Sequence, residues 1–209
     1  MVGRLIETEA DVAEGAAWLA GREPRFAHAL ALTGPLPLRR RPDGFAPLLS
    51  AIVSQQVSTA AANAIWARLE VAGATEPAVL ASLPDEVLRG AGLSRQKIAY
   101  ARALAESGVD FAALRGLPTD EVVRALVAVK GVGIWTAEIY ALFSLGRADV
   151  FAPGDLALQE AARDLFDLGE RPGERALRAM AGAWSPWRGV AARLLWAYYR
   201  VVKRREGVR

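Results

Sequence analysis

The chain has 209 residues, a formal net charge of +3, 53% hydrophobic residues and no cysteine. That length suits one domain or two small lobes, and the apolar content argues against wholesale disorder. Without cysteine there is no disulfide, thiolate zinc site or cysteine-ligated iron–sulfur cluster, and a lone histidine, His28, excludes a histidine-rich metal site.

Chemistry must therefore come from carboxylates, hydroxyls, amides, aromatics or arginines, and no cofactor is expected. The N-terminal stretch MVGRLIETEADVAEG is acidic and lacks an apolar signal core. No run approaches the roughly 20 apolar residues of a membrane span. The expectation is a cytoplasmic protein with no membrane partner. Helical signals dominate, because alanine and leucine are abundant and β-branched alternation is scarce. Helices are predicted over 9–20, 24–32, 45–53, 58–72, 84–91, 95–107, 119–129, 134–145, 155–167, 173–183 and 187–203. His28 lies in the second of these and reads as packed or solvated. Gly/Pro punctuation separates the segments, and the stretch from Gly34 to Gly44 is the best candidate for a lobe boundary. Many short helices with short connections predict an all-α fold.

The most informative stretch is LVAVKGVGIWTAEIYAL, residues 126–142. Leu126 and Val129 end one apolar stripe, and Ile134, Ala137, Ile139 and Leu142 begin another. Gly131-Val132-Gly133 between them makes a tight turn, with Val132 tucked between the helices. A helix N-terminus at the turn favours an anion, so the turn can hold a DNA phosphate without reading sequence. Its carbonyls could also hold a monovalent cation. From the glycines alone, a helix C-cap followed by a new helix is the better explanation of the turn. The whole pattern resembles the helix-hairpin-helix element of DNA-binding proteins.

Downstream stands Pro153-Gly154-Asp155, at the start of LALQEAARDLF. Aspartate is a preferred N-cap, and capping is compatible with catalysis because it fixes the carboxylate. A hairpin followed by a Gly/Pro-rich loop and an aspartate resembles the HhH-GPD DNA glycosylases. Within them the chain looks like the alkylation-repair branch, the bacterial DNA-3-methyladenine glycosylase II type. The supporting matches are SQQVSTAAANAIWARL at 54–69, GLSRQKIAYARALA at 92–105, the region 126–155 and WSPWRGVAARLLW at 184–196.

The resemblance implies two helical lobes with a cleft, hairpin and aspartate at its mouth. The expected division is a central lobe over 45–155 and a second lobe from 1–44 plus 156–209. The N-terminal β-rich domain of larger members is expected to be absent. The resemblance implies a monomeric bacterial protein, nucleoid-associated, whose partner is double-stranded DNA containing alkylated bases. The implied activity is hydrolysis of their N-glycosidic bonds, with Asp155 as the catalytic carboxylate.

Lyase members carry a Schiff-base lysine two residues after the second glycine, where this chain has Trp135, so no lyase step is expected. Trp135 and Trp196 match aromatics of the base pocket, Trp196 reading equally as a core residue. Ile139 stands where the family type has a third aromatic. Gln56, with Gln55 beside it, aligns with the wedge that fills the gap left by the flipped base, although a polar helix junction is nearly as good a reading. Gly131, Gly133, Thr136, Lys130, Arg95 and Lys97 are candidate phosphate contacts. Trp184 and Trp187 read as packing anchors. A mismatch or oxidised-base glycosylase of the same superfamily and a non-catalytic DNA-binding module remain alternatives.

Overall fold

A computed structural model describes residues 2–206 of the chain. Among these residues there are thirteen α-helices and one 3-10 turn, and the only β feature is an isolated bridge between Leu5 and Arg147. The chain divides into two units.

Unit 1 comprises Arg41–Tyr140 together with Val2. It holds α3 (Phe45–Val53), α4 (Thr59–Val71), α5 (Pro77–Ser82), α6 (Asp85–Gly90), α7 (Arg95–Ala105), α8 (Phe111–Leu114), α9 (Thr119–Val127) and most of α10 (Ile134–Phe143). Helix α7 is its hub, packing against α3, α5 and α6. Buried Ile98, Ala101 and Leu104 recur at helical spacing along it and form its inward stripe. Local chemistry sets the ends: Ser58 and Ser94 cap α4 and α7 through their hydroxyl oxygens. Arg102 of α7 donates to the carbonyls of Ala81 and Leu83 and pairs with Asp85, fastening the turn between α5 and α6. Buried Tyr140 accepts the Gly44 N–H at 2.7 Å, and burial pushes its phenol up to about 12.

Unit 2 comprises Gly3–Arg40 and the chain from Ala141 onward. It holds α1 (Glu9–Ala20), α2 (Pro24–Thr33), α11 (Leu156–Leu165), α12 (Glu174–Met180), the 3-10 turn Ala181–Trp184 and α13 (Arg188–Glu206). Helix α13 is the axis against which α1, α2 and α11 pack. A capping box of Thr8 and Asp11 starts α1. Trp184 sits in an aromatic cluster with Phe26, Phe151 and Phe166, and Trp187 is buried, so both anchor the core as expected. His28 is exposed at the surface of α2.

The division differs from the expected one in two places. Residues 141–155 belong to unit 2, because the segment after α10 pairs with the N-terminal strand-like stretch. There the Ile6 N–H donates to the Gly146 carbonyl at 2.7 Å and the Ala148 N–H to the Arg4 carbonyl at 3.0 Å. Residues 41–44 belong to unit 1, held by the Gly44–Tyr140 bond and by the Asp43–Arg115 ion pair. Two short helices, α5 and α8, form where none was predicted, while α3 spans the predicted residues.

Candidate active site

In unit 1, α9 ends at Val127, and a turn through Val129–Gly133 leads into α10 at Ile134. The Val132 N–H donates to the Val129 carbonyl at 3.0 Å, closing the turn, and the Val132 side chain is buried. The two glycines do different work. Gly131 has φ +93°, in the region that disfavours side chains, and a Cβ there would lie 2.3 Å from Tyr100 Cγ. Gly133 has no such conformation, and a Cβ there would meet nothing within 4 Å. Its carbonyl accepts the first intrahelical bond of α10, from Ala137, at 3.0 Å. Gly133 therefore leaves open space beside the start of α10, where first-turn N–H groups have no partners inside the helix.

The Gln55 side chain reaches this turn, its amide Nε2 donating to the Gly131 carbonyl at 3.2 Å. Its neighbour Gln56 is exposed and has φ +55°. A non-glycine residue held in the left-handed region is uncommon, and Gln56 shares that conformation with Arg39 and Asp167.

A cavity of about 620 Å³ lies beside the hairpin, lined wholly by unit 1 residues. Trp135, Thr136 and Ile139 of α10 form one side, and Ser50, Gln55 and Trp66 contribute from α3, its following turn and α4. Trp135 is 42% exposed despite its size. Thr136, expected at a phosphate, is instead buried and faces this cavity. Lys97, also expected at a phosphate, has its ammonium on the Val53 carbonyl at 2.6 Å, where it caps the end of α3, and desolvation lowers its pKa. Lys130 and Arg95 are exposed.

Asp155, in unit 2, is half-buried and is the N-cap of α11. Its Oδ1 accepts three N–H groups: Ala157 at 3.0 Å, Leu158 at 3.1 Å and the indole Nε1 of Trp196 at 3.1 Å. Three donors on one oxygen orient the carboxylate. Trp196 is itself held, stacked on Phe143 with ring centroids 5.7 Å apart. The loop before Asp155 is braced as well. Buried Gln159 donates from Nε2 to the Pro153 carbonyl at 2.8 Å, and the Asp155 N–H donates to the Ala152 carbonyl. At the loop's start, Asp149 accepts from Arg188 and from Ser185. Burial alone would raise the Asp149 carboxyl, but these donors outweigh it and hold the group below its ordinary value.

Trp66, Gln159 and the Asp149–Arg188 pair were not singled out by sequence. Trp66 had a signal: it stands one position off the buried stripe Ala62, Ile65 and Leu69 of α4, where the core does not call for an aromatic. Among the described residues, no cluster of three or more His, Asp or Glu is placed to hold a metal, and no helix is long and apolar enough to cross a membrane.

A family model of the HhH-GPD superfamily of base excision DNA repair proteins matches residues 49–186, and the chain belongs to that superfamily. A DNA-3-methyladenine glycosidase from Bacillus halodurans, known as a crystal structure, is 35% identical with a TM-score of 0.81, covering 98% of this chain and 95% of that one. The Schizosaccharomyces pombe 3-methyladenine DNA glycosylase, solved in complex with abasic DNA, is 27% identical with a TM-score of 0.75, covering 88% of this chain and 95% of that one. A Bacillus subtilis protein provisionally named as a DNA-3-methyladenine glycosylase is 29% identical over 125 residues. That match takes in 58% of this chain and 44% of the relative, so the chain spans less than half of its length.

Proposed function

We propose that the chain is a monofunctional DNA glycosylase that removes alkylated bases, such as 3-methyladenine and 7-methylguanine, from double-stranded DNA. The observation that carries this reading is the Asp155 carboxylate, oriented by three N–H donors on one oxygen in the Gly/Pro-rich loop that follows a helix-hairpin-helix. The relatives' names point the same way, and one of those relatives is solved on abasic DNA.

In this reading the hairpin turn grips a phosphate through backbone N–H groups beside Gly133. Gln56 fills the gap left by the extruded base, and the unit 1 cavity receives that base. As the bond from C1′ to the base nitrogen lengthens, both bonding electrons leave with the base. A cationic alkylated base thereby departs neutral. The sugar becomes electron-poor, and anionic Asp155 stabilises it as carboxylates do in glycoside hydrolysis. Water then adds to C1′ and loses a proton, giving an abasic site. Trp135 stands where an imine-forming lysine would be needed, so the reaction ends at hydrolysis.

The test is incubation of the purified chain with a methylated duplex and chromatography of the released bases. Expected are free 3-methyladenine and 7-methylguanine, no strand cleavage, and a loss of about a hundredfold or more in Asp155→Asn. Asparagine keeps the cap while removing the charge. Duplex binding with no base released from any alkylated substrate would make the chain a binding module instead.

A further inference from the structure

We propose that Trp66 is a second aromatic wall of the base-receiving cavity and that it selects two-ring bases over one-ring bases of the same charge. The proposal rests on the reading that this cavity takes an extruded base.

Trp66 borders the cavity from α4, as Trp135 does from α10. It is half-buried, and it lies beside rather than within the buried stripe of its helix. The orientation of its ring is fixed from outside: Nε1–H donates to Glu70 Oε1 at 2.8 Å, one turn along the same helix. Glu70 is exposed and serves as the positioning residue. With its polar edge engaged there, the indole offers the cavity a hydrocarbon face.

Two of the polar side chains nearby are turned to the backbone. The Ser54 hydroxyl donates to the Ser50 carbonyl at 2.8 Å, and the Gln55 amide to the Gly131 carbonyl. Two tryptophans and Ile139 are the largest apolar side chains of the lining, which Arg41 and Thr136 share, and the tryptophans alone present ring faces to a planar ligand. The cavity's 620 Å³ falls within the range of about 300–1,000 Å³ typical of small-molecule sites. Stacking reads the area of a ring system rather than its hydrogen-bonding edge, and loss of one stacking partner commonly weakens binding about tenfold. Removing Trp66 should therefore penalise a purine more than a pyrimidine.

The test uses two duplexes, each with one cationic lesion, 7-methylguanine or N3-methylcytosine, so that charge is matched and ring area is not. Single-turnover kcat/KM is measured for the parent, Trp66→Leu, Trp66→Phe and Glu70→Ala. Trp66→Leu is expected to lose about tenfold on 7-methylguanine and under about twofold on N3-methylcytosine. Trp66→Phe, which keeps a ring, should retain most of the ratio, and Glu70→Ala should lower it about threefold by freeing the indole. Equal losses on both duplexes, or no loss on 7-methylguanine, would overturn the proposal.

Binding of free 7-methylguanine, followed by calorimetry, separates this idea from the excision reading. If the parent cleaves neither duplex yet binds the free base about tenfold more tightly than Trp66→Leu, the wall stands and the excision reading falls. Equal affinity for parent and variant refutes the wall even if excision is observed. Should Trp66→Leu not fold, the Phe and Glu70 variants carry the same comparison, and an unchanged ratio in Glu70→Ala then counts against it.

Discussion

Replacing Gly131 by alanine tests the account of the hairpin most directly. The residue has φ +93°, and holding a side chain in the left-handed region costs roughly 1–2 kcal/mol. The added Cβ would stand 2.3 Å from Tyr100 Cγ, 2.6 Å from its Cβ and 2.7 Å from its Cδ2. These atoms lie close to the α7 backbone, so a rotamer change cannot clear them and the helix or the turn must shift. Overpacking of this kind costs about 1–3 kcal/mol. Together the two effects predict a loss of about 2–5 kcal/mol, a large share of the roughly 5–15 kcal/mol that holds a typical domain together. Urea unfolding of the full chain, followed by circular dichroism and tryptophan fluorescence, reads this as a fall in midpoint. Gly133→Ala is the internal control. Its Cβ meets nothing and its backbone is unstrained, so stability should hold or rise slightly, while duplex affinity falls about tenfold if a phosphate approaches there. A Gly131→Ala variant within about 0.5 kcal/mol of the parent would refute the steric argument.

Two further outcomes follow from unit 2. Trp196→Phe keeps the stack on Phe143 but deletes the indole donor to Asp155, so excision should slow about tenfold with a stability change of about 1 kcal/mol; unaltered excision would show that the bond does not position the carboxylate. Asp149 is held below its ordinary value of 3.8, so the folded state favours its ionised form. Its contribution is complete above that value and fades as pH falls through the lower folded value. The stability gap between the parent and Asp149→Asn, measured by urea unfolding, should be constant from about pH 5 to 8 and close on acidification below about pH 4. A gap that persists to pH 2 would remove Asp149 from the acid response.

Much of this molecule is legible in its sequence because its long helices carry their own instructions. Helix α3 begins after a glycine and buries Phe45, Leu48, Leu49 and Ile52 at helical spacing, and its observed ends are the predicted ones. Helices α5 and α8, of six and four residues, are too short to show a period. Their local starts, Pro77 of α5 and the Asp110 cap of α8, are too slight to fix a helix alone, and the rest is tertiary: Leu80 of α5 is fully buried and α5 packs on α7, contacts that leave no local mark. The same limit applies at the site. Asp155 was visible as a cap, because caps are local. The bond it accepts from Trp196 joins residues 41 positions apart and needs the fold of unit 2. Lys97 was a candidate phosphate contact because nothing in its own helix announces the carbonyl of Val53.

The oxygen of Asp155 that the two peptide groups and the indole share has a consequence for how this chain can change over time. Residue 155 holds together the beginning of a helix as well as carrying a negative charge. Loss of the side chain to alanine would be felt first as a frayed α11, before any question of reactivity arose. Asparagine, the closest in shape of the uncharged capping residues, would satisfy the helix and still silence the charge, so under the proposed reaction an inactive descendant that keeps its shape is most economically reached through that single change.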